Sequence, residues 1–281
     1  MSHYQVMAIV RKGGPGLEEL MEPYSEHLSV APYVSKTKAE LIRAIGERIS
    51  QARADRARIA EAGYESKFDR RWLLEDPWGI KFSTQPEGAS DEELYMAFRG
   101  YWGKPEDFDA EGNLLSTYNP EARWDYWSEG SYLTFVLKDG TYEDPAFAKD
   151  VDWAATSKPA RGEKAQLLRE WRHLALGKVP GGLKGQELEE WLDREYGSFR
   201  YRTGYLKEAY GSFERFAEVS CAFKPYAIVG PDGWKAPGRV GWFGASTETG
   251  GEWIRWVTET IPGIIASLRP DDELHLLDCH I

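Results

Sequence analysis

The chain has only two cysteines, Cys221 and Cys279, too few for a disulfide framework or a four-cysteine zinc site. Such scarcity fits a reducing cytoplasm, which is the expected location. No apolar run nears the roughly 18 residues of a membrane-spanning helix, so no span is expected. Met1-Ser2-His3-Tyr4 shows no basic region followed by an apolar one, so no signal peptide is expected either. The familiar nucleophile and phosphate motifs are missing: there is no G-x-S-x-G, P-loop, H-E-x-x-H or dinucleotide fingerprint. The stretch Gly238 to Gly244 is rich in glycine, but its Trp242 and Phe243 suit tight aromatic packing and not a phosphate cradle. Basic charge is also short. The net charge of −11 argues against broad nucleic-acid binding, because phosphate contacts need clustered Lys and Arg. The acids are scattered, so no acidic block reads as a nucleic-acid mimic or a tail.

What the chain does have is length and aromatic rings. At 281 residues it is long enough to bury a real core, and 42% hydrophobic with 29% charged residues is ordinary for a globular protein. An aromatic share of 14%, with 12 Trp, is high and points to an aromatic core or to aromatic-lined clefts.

Tyr4 to Val10 is short, largely apolar and stopped by Gly13-Gly14-Pro15-Gly16, the pattern of a buried strand. A long helix is expected from near Ser35, with Thr37 and Glu40 at capping-box spacing and Ile42, Ile45, Ile49, Ala52 and Ile59 as its apolar stripe. The arginines along it alternate with acids and read as a solvated face. Residues 63–120 read as mostly irregular, with a short helix from Asp91 to Tyr101. Asp107 to Gly112 opens like a calcium loop, but Tyr118 stands where the bidentate Glu is needed, which leaves a tight turn. A strand is expected from Tyr132 to Leu137, ended by the Asp139-Gly140 turn. Helical pattern runs over 163–219, with Leu167, Leu168, Trp171 and Leu174 separated by Pro180-Gly181-Gly182 from Leu188, Trp191 and Leu192. Tyr201, Tyr205, Tyr210, Phe213 and Phe216 continue it. Tyr226 to Val229, the Pro231-Asp232-Gly233 turn and Trp234 form a hairpin pattern. A last helix carries Trp253, Trp256, Val257, Ile261, Ile264, Ile265 and Leu268 on one face and is kinked by Pro262. Leu274 to Ile281 reads as a final strand. Together these predict an α+β fold in a single domain over 1–281. Its antiparallel or mixed sheet is built from strands near both termini, with helices packed on it. The Gly-Pro-rich stretch at 177–185 is the best candidate for an internal boundary.

Two places concentrate chemistry. Asn119 to Trp127 has the composition of a binding site: Trp124, Tyr126 and Trp127 for stacking, Arg123 and Asp125 for polar recognition, and Asn119 for a turn or an amide contact. Flat ligands such as nucleobases suit these rings, at about 1–3 kcal/mol per stacked base. The plainer reading is a turn at Asn119-Pro120 whose Trp residues anchor a loop to the core. The second place is Asp278-Cys279-His280. If the last strand pairs antiparallel with the first, His280 or Asp278 comes close to His3, a set able to bind zinc or do acid–base work. Strand alternation, however, puts Asp278 and His280 on one face and Cys279 on the other. With no third ligand in view, neither a metal nor a cofactor is expected, and the catalytic candidates are His280, Asp278 and His3.

Four segments carry a family resemblance. They are His3-Tyr4 with Leu20 to Glu26 and Val30 to Tyr33; Asp109 to Trp127; Pro225 to Val229 through Gly241-Trp242-Phe243-Gly244; and Asp278-Cys279-His280-Ile281. Over almost its whole length the chain resembles an uncharacterised family of phage and actinobacterial proteins. That family's central motif runs N-P-x-x-K-W-D-W-Y-x-I-G-G-R-W. This sequence keeps the first half and departs at Ser128-Glu129-Gly130-Ser131-Tyr132, where glycines and an Arg are expected. If that Arg holds an anion in relatives, this member binds differently or not at all.

The resemblance implies a phage-type setting and no named activity. The first expectation is therefore a protein that binds a small nucleotide-like ligand, sequestering a host metabolite or signalling nucleotide. An alternative is a hydrolase or transferase on a nucleotide-like substrate, using His280, Asp278 and His3 or Asp125. A third is an inhibitor of a host factor that uses exposed Trp and Tyr as anchors. Homo-oligomer formation is left open.

Overall fold

The computed structural model describes residues 3–62, 67–157, 163–176, 205–241 and 245–281, together with Glu187 and Glu190. The expected helical run at Leu188, Trp191 and Leu192, its Pro180-Gly181-Gly182 separator, the boundary at 177–185, Tyr201 and the Trp242–Gly244 motif lie outside them. The strands, in chain order, are β1 (His3–Val10), β2 (Tyr33–Lys36), β3 (Leu114–Ser116), β4 (Tyr126–Glu129), β5 (Phe135–Val136), β6 (Tyr142–Glu143), β7 (Ala146–Phe147), β8 (Ala227–Gly230), β9 (Gly233–Lys235) and β10 (Glu273–His280). The fold is α+β, and its backbone gathers into two compact units: Met1–Leu28 with Asn119–Ile281, and Ser29–Tyr118. No helix among the described residues is long and apolar enough to cross a membrane.

The first unit is built on a mixed sheet of order β4-β10-β1-β8-β9, with β7 also pairing β10. β1 runs antiparallel to β10 in a continuous register from His3↔His280 to Val10↔Glu273, and parallel to β8. A strand covered on both faces needs a nearly unbroken apolar run, which is what Tyr4 to Val10 supplies. Val6 and Ala8 pack with Leu277, Cys279, Ala227 and Val229 on one face, beside Leu20 and Met21 of the helix Leu17–Met21. Met7 and Ile9 pack with Leu274, Leu276 and Ile228 on the other, beneath Trp256, Val257 and Ile261. Each fully buried Val, Leu, Ile or Met among them contributes about 1.5–3 kcal/mol.

Trp256, Val257 and Ile261 sit where a helix changes pitch. The helix Gly250–Arg255 opens into a wide π-type turn, Trp256–Thr260, and resumes as Ile261–Ser267. Pro262 lacks an N–H and crowds the preceding turn, so its effect is taken up as this widened turn. β8 and β9 form the hairpin expected around Pro231-Asp232-Gly233, with Gly233 at φ 89. The strand expected from Tyr132 to Leu137 is shorter: Phe135 and Val136 pair with Tyr142 and Glu143 around Gly140 at φ 86, and Leu137 adds an isolated bridge to Val151.

The second unit departs more from expectation. Its long helix spans Lys38–Ala62 and not from Ser35, because Tyr33–Lys36 pairs with Leu114–Ser116 as a short strand. Thr37 and Glu40 cap it reciprocally: the Thr37 N–H donates to Glu40 Oε2 at 2.8 Å, and the Glu40 N–H donates to Thr37 Oγ1 at 3.2 Å. Leu41, Ile45, Ile49 and Ala52 form the buried stripe, while Ile42 and Ile59 are half-buried. Residues 63–120 are not mostly irregular. Helices occupy Lys67–Leu74, Pro77–Thr84 and Asp91–Phe98. Asp76-Pro77, which reads as a turn, is in fact a helix start: the Asp76 carboxylate accepts from the N–H groups of Trp78 and Gly79, and Pro77 takes the first position, where no N–H is needed. Phe82 stacks on Phe98 at 4.4 Å between centroids in this unit's core. The segment from Asp109 is the tight turn, closed by Asn113 N–H to Asp109 Oδ1 at 2.8 Å with Gly112 at φ 85.

Candidate functional site

Alternation along β1 and β10 sorts the polar residues at one end of the sheet. His3 and Gln5 lie on the Met7–Ile9 face, and across the register Asp278 and His280 lie on the Leu274–Leu276 side of the same face. His3 Nδ1 is 2.9 Å from Asp278 Oδ2, and Gln5 Nε2 donates to Asp278 Oδ1 at 3.0 Å. Gln5 Oε1 in turn accepts from Ser131 Oγ. A carboxylate facing Nδ1 keeps the proton there, leaving Nε2 of the neutral ring as a base.

A second His–Asp pair lies beside the first. His280 Nδ1 is 2.6 Å from Asp125 Oδ1, and the Asp125 N–H donates to the His280 carbonyl at 2.9 Å. The Tyr126 ring stacks on His280 at 4.9 Å and 23°, and the His3 ring meets His280 edge to face at 5.2 Å. Burial alone would raise the Asp125 carboxyl, but the hydrogen bonds from His280 and the Tyr126 N–H bring it below the usual carboxylate range. The two imidazoles differ in access. The His280 side chain is only 9% exposed and its Nε2 has no hydrogen-bond partner, whereas the His3 side chain is 45% exposed.

Cys279 faces the opposite side of the sheet among Tyr4, Val6 and Leu277. Burial, and then the Asp278 charge, push its thiol up, so it stays protonated and inert. Among the described residues no group of three or more His, Cys, Asp or Glu is placed to hold a metal.

A cavity of about 890 Å³ opens against His3 and Gln5. Its wall includes Tyr132, Lys224, Tyr226, Glu248 and Trp253. Tyr226 and Trp253 lie nearly parallel, 6.2 Å apart at 20°, and form an aromatic platform. The Tyr226 hydroxyl donates to Glu248 Oε2 at 2.8 Å, and Ser246 Oγ donates to Glu248 Oε1 at 2.8 Å. Burial, and then this carboxylate, push the Tyr226 phenol up, so it remains a donor. Lys224 Nζ donates to the carbonyls of Val219 and Ser220, the last turn of the helix Phe213–Cys221.

No protein-family model, curated protein or solved structure matches the chain.

The Asn119–Trp127 segment is placed differently from the cavity: none of its residues lines it. Asn119 is buried, and its Nδ2 donates to the Pro23 and Ser25 carbonyls at 2.7 and 3.0 Å. Arg123 turns to the Ala122 carbonyl and Glu121, at 2.9 Å each. Trp124 Nε1 donates to the Met21 carbonyl at 3.2 Å, and Trp127 packs against the Tyr4–Val6 cluster. The segment thus fastens a loop to the sheet and delivers Asp125 and Tyr126 to His280. The cavity residues Lys224, Tyr226, Glu248 and Trp253 escaped the sequence reading. Lys224, Tyr226 and Glu248 lie in connecting segments, Trp253 reads as part of a helix's apolar face, and the Tyr226–Glu248 bond spans 22 positions with no periodic signature.

Proposed function

We propose that the protein binds a small, flat, nucleotide-like ligand in the cavity beside His3. The observation that carries this reading is the platform of Tyr226 and Trp253 on the wall of a cavity of about 890 Å³, with Glu248 held beside it by two hydroxyl donors. That volume falls in the usual range for small-molecule sites, roughly 300–1,000 Å³, and the mix of aromatic faces with a few polar groups is their usual lining. Stacking on such a platform is worth about 1–3 kcal/mol per base. Sequestration of a host metabolite or signalling nucleotide in a phage-type setting is the accompanying biological reading, and it rests on the family resemblance alone.

One observation favours a second reading, a hydrolase or transferase: His3, its Nδ1 held by Asp278, lines the same cavity and presents Nε2 as a base. Native mass spectrometry of freshly purified protein tests the first reading. A noncovalent small molecule should be retained by the wild type and lost in Trp253→Ala. Absence of any adduct, with no thermal shift on adding nucleosides or nucleotides, overturns it. If the ligand is instead converted, and His3→Ala stops conversion while sparing binding, the second reading takes its place.

A further inference from the structure

The charges on the cavity wall say which part of a nucleotide-like ligand is recognised. Among the described lining residues the basic groups are His3 and Lys224. Lys224 directs its ammonium at the Val219 and Ser220 carbonyls, the negative end of the helix Phe213–Cys221, which takes up two of its three donors and offsets its charge. His3 is paired with Asp278, so even a protonated ring brings a compensating carboxylate. Glu248 adds an acidic side chain to the wall.

Among the described residues the nearby helix start offers no cradle either. The helix Gly250–Arg255 begins beside the cavity, but its first turn is occupied by its own acid: Glu252 Oε2 accepts from the Thr249 N–H at 2.7 Å and from Thr249 Oγ1 at 2.8 Å. A phosphate arriving at that end would meet a carboxylate already in place. The chain's net charge of −11 adds long-range repulsion for polyanions.

The same wall suits a heterocycle. Tyr226 and Trp253 supply the stacking face. Glu248 accepts one hydroxyl on each oxygen, and a carboxylate has about four lone-pair sites, so each oxygen keeps capacity for a further donor. Ring or exocyclic N–H groups of a base are donors of this kind, as in the pairing of acidic side chains with a cytosine amino group.

We propose that the cavity takes the uncharged base or nucleoside, read through its N–H edge by Glu248, and discriminates against the phosphorylated forms. This rests on the cavity being the ligand site. The test is calorimetric titration of the full chain with adenosine, guanosine and cytidine, each against its triphosphate. At least one nucleoside should bind, with its triphosphate about tenfold weaker or worse at low salt, since that factor corresponds to only one modest charge–charge contact. The gap should narrow in about 0.5 M salt and in Glu248→Gln, with circular dichroism confirming that the variant is folded. A triphosphate that binds as tightly as its nucleoside overturns this inference and leaves the proposed function standing. A gap unchanged in folded Glu248→Gln removes Glu248 from the role given to it. No binding by any of the six compounds overturns both.

Discussion

Asn119→Ala separates the two roles open to the Asn119–Trp127 segment. The Asn119 side chain is 3% exposed and makes three hydrogen bonds: Nδ2 to the Pro23 and Ser25 carbonyls at 2.7 and 3.0 Å, and Oδ1 from the Glu121 N–H at 3.0 Å. These join the turn Glu22–Tyr24 to the loop entering β4, where the Arg123 N–H also donates to the Tyr24 carbonyl at 2.7 Å. Truncation leaves the Pro23 carbonyl and the Glu121 N–H without a partner, and the Ser25 carbonyl with the Leu28 N–H at 3.3 Å. A typical hydrogen bond contributes about 0.5–1.5 kcal/mol net, and a buried group left dry costs about 1–3 kcal/mol. The expected loss is therefore about 2–4 kcal/mol, a fall in the urea midpoint on the order of 1 M. Asn119→Asp, nearly the same size, should cost at least as much, because an oxygen then faces two carbonyl oxygens where an amide donated. Equilibrium urea unfolding of the three proteins, followed by circular dichroism, reads this directly. A loss below about 1 kcal/mol for both variants, or lost ligand binding with unchanged stability, would refute the fastening role.

Three further outcomes follow from the geometry. Gly79→Ala should destabilise by about 3 kcal/mol in the same assay, because an added Cβ would lie 1.9 Å from the Trp72 carbonyl oxygen, a backbone atom of the neighbouring helix. Asp125 is held below the ordinary carboxylate range in the fold, so its pairing stabilises above the unfolded pKa, about 3.9, and that stability is lost as pH falls through the lower folded value. Urea midpoints measured from pH 6 down to pH 2 should thus fall less steeply below about pH 4 in Asp125→Asn than in the wild type. Cys279, buried and with its thiol pushed up, should resist a thiol reagent at pH 8 in the native protein and react on unfolding.

The sheet was legible because strands covered on both faces leave a plain mark. Tyr4 to Val10 carries a nearly continuous apolar run, Leu274 to Cys279 sets four apolar residues around His275 and Asp278, and strand alternation alone places Asp278 with His280 and sets Cys279 apart. The helices Lys67–Leu74 and Pro77–Thr84 were not legible. Asp76-Pro77 has the same letters as a turn and as a helix start, and only the two N–H groups received by Asp76 decide between them. Asn119–Trp127 was ambiguous for a similar reason: an amide, an arginine and tryptophans suit a ligand site and a fastened loop equally, and burial settles which partners they meet. The cavity was invisible because His3 comes from a strand, Trp253 from a helix and Lys224 and Glu248 from connecting segments, and no periodicity links the four.

Hydrogen–deuterium exchange with and without saturating adenosine, guanosine or cytidine tests most directly whether the cavity, and not the Asn119–Trp127 segment, is where the ligand sits. With at least one of the three, amides in 220–226 and 246–254 should exchange more slowly while those in 119–127 are unchanged. Protection confined to 119–127, or no slowing around the cavity with any of them, would contradict the account.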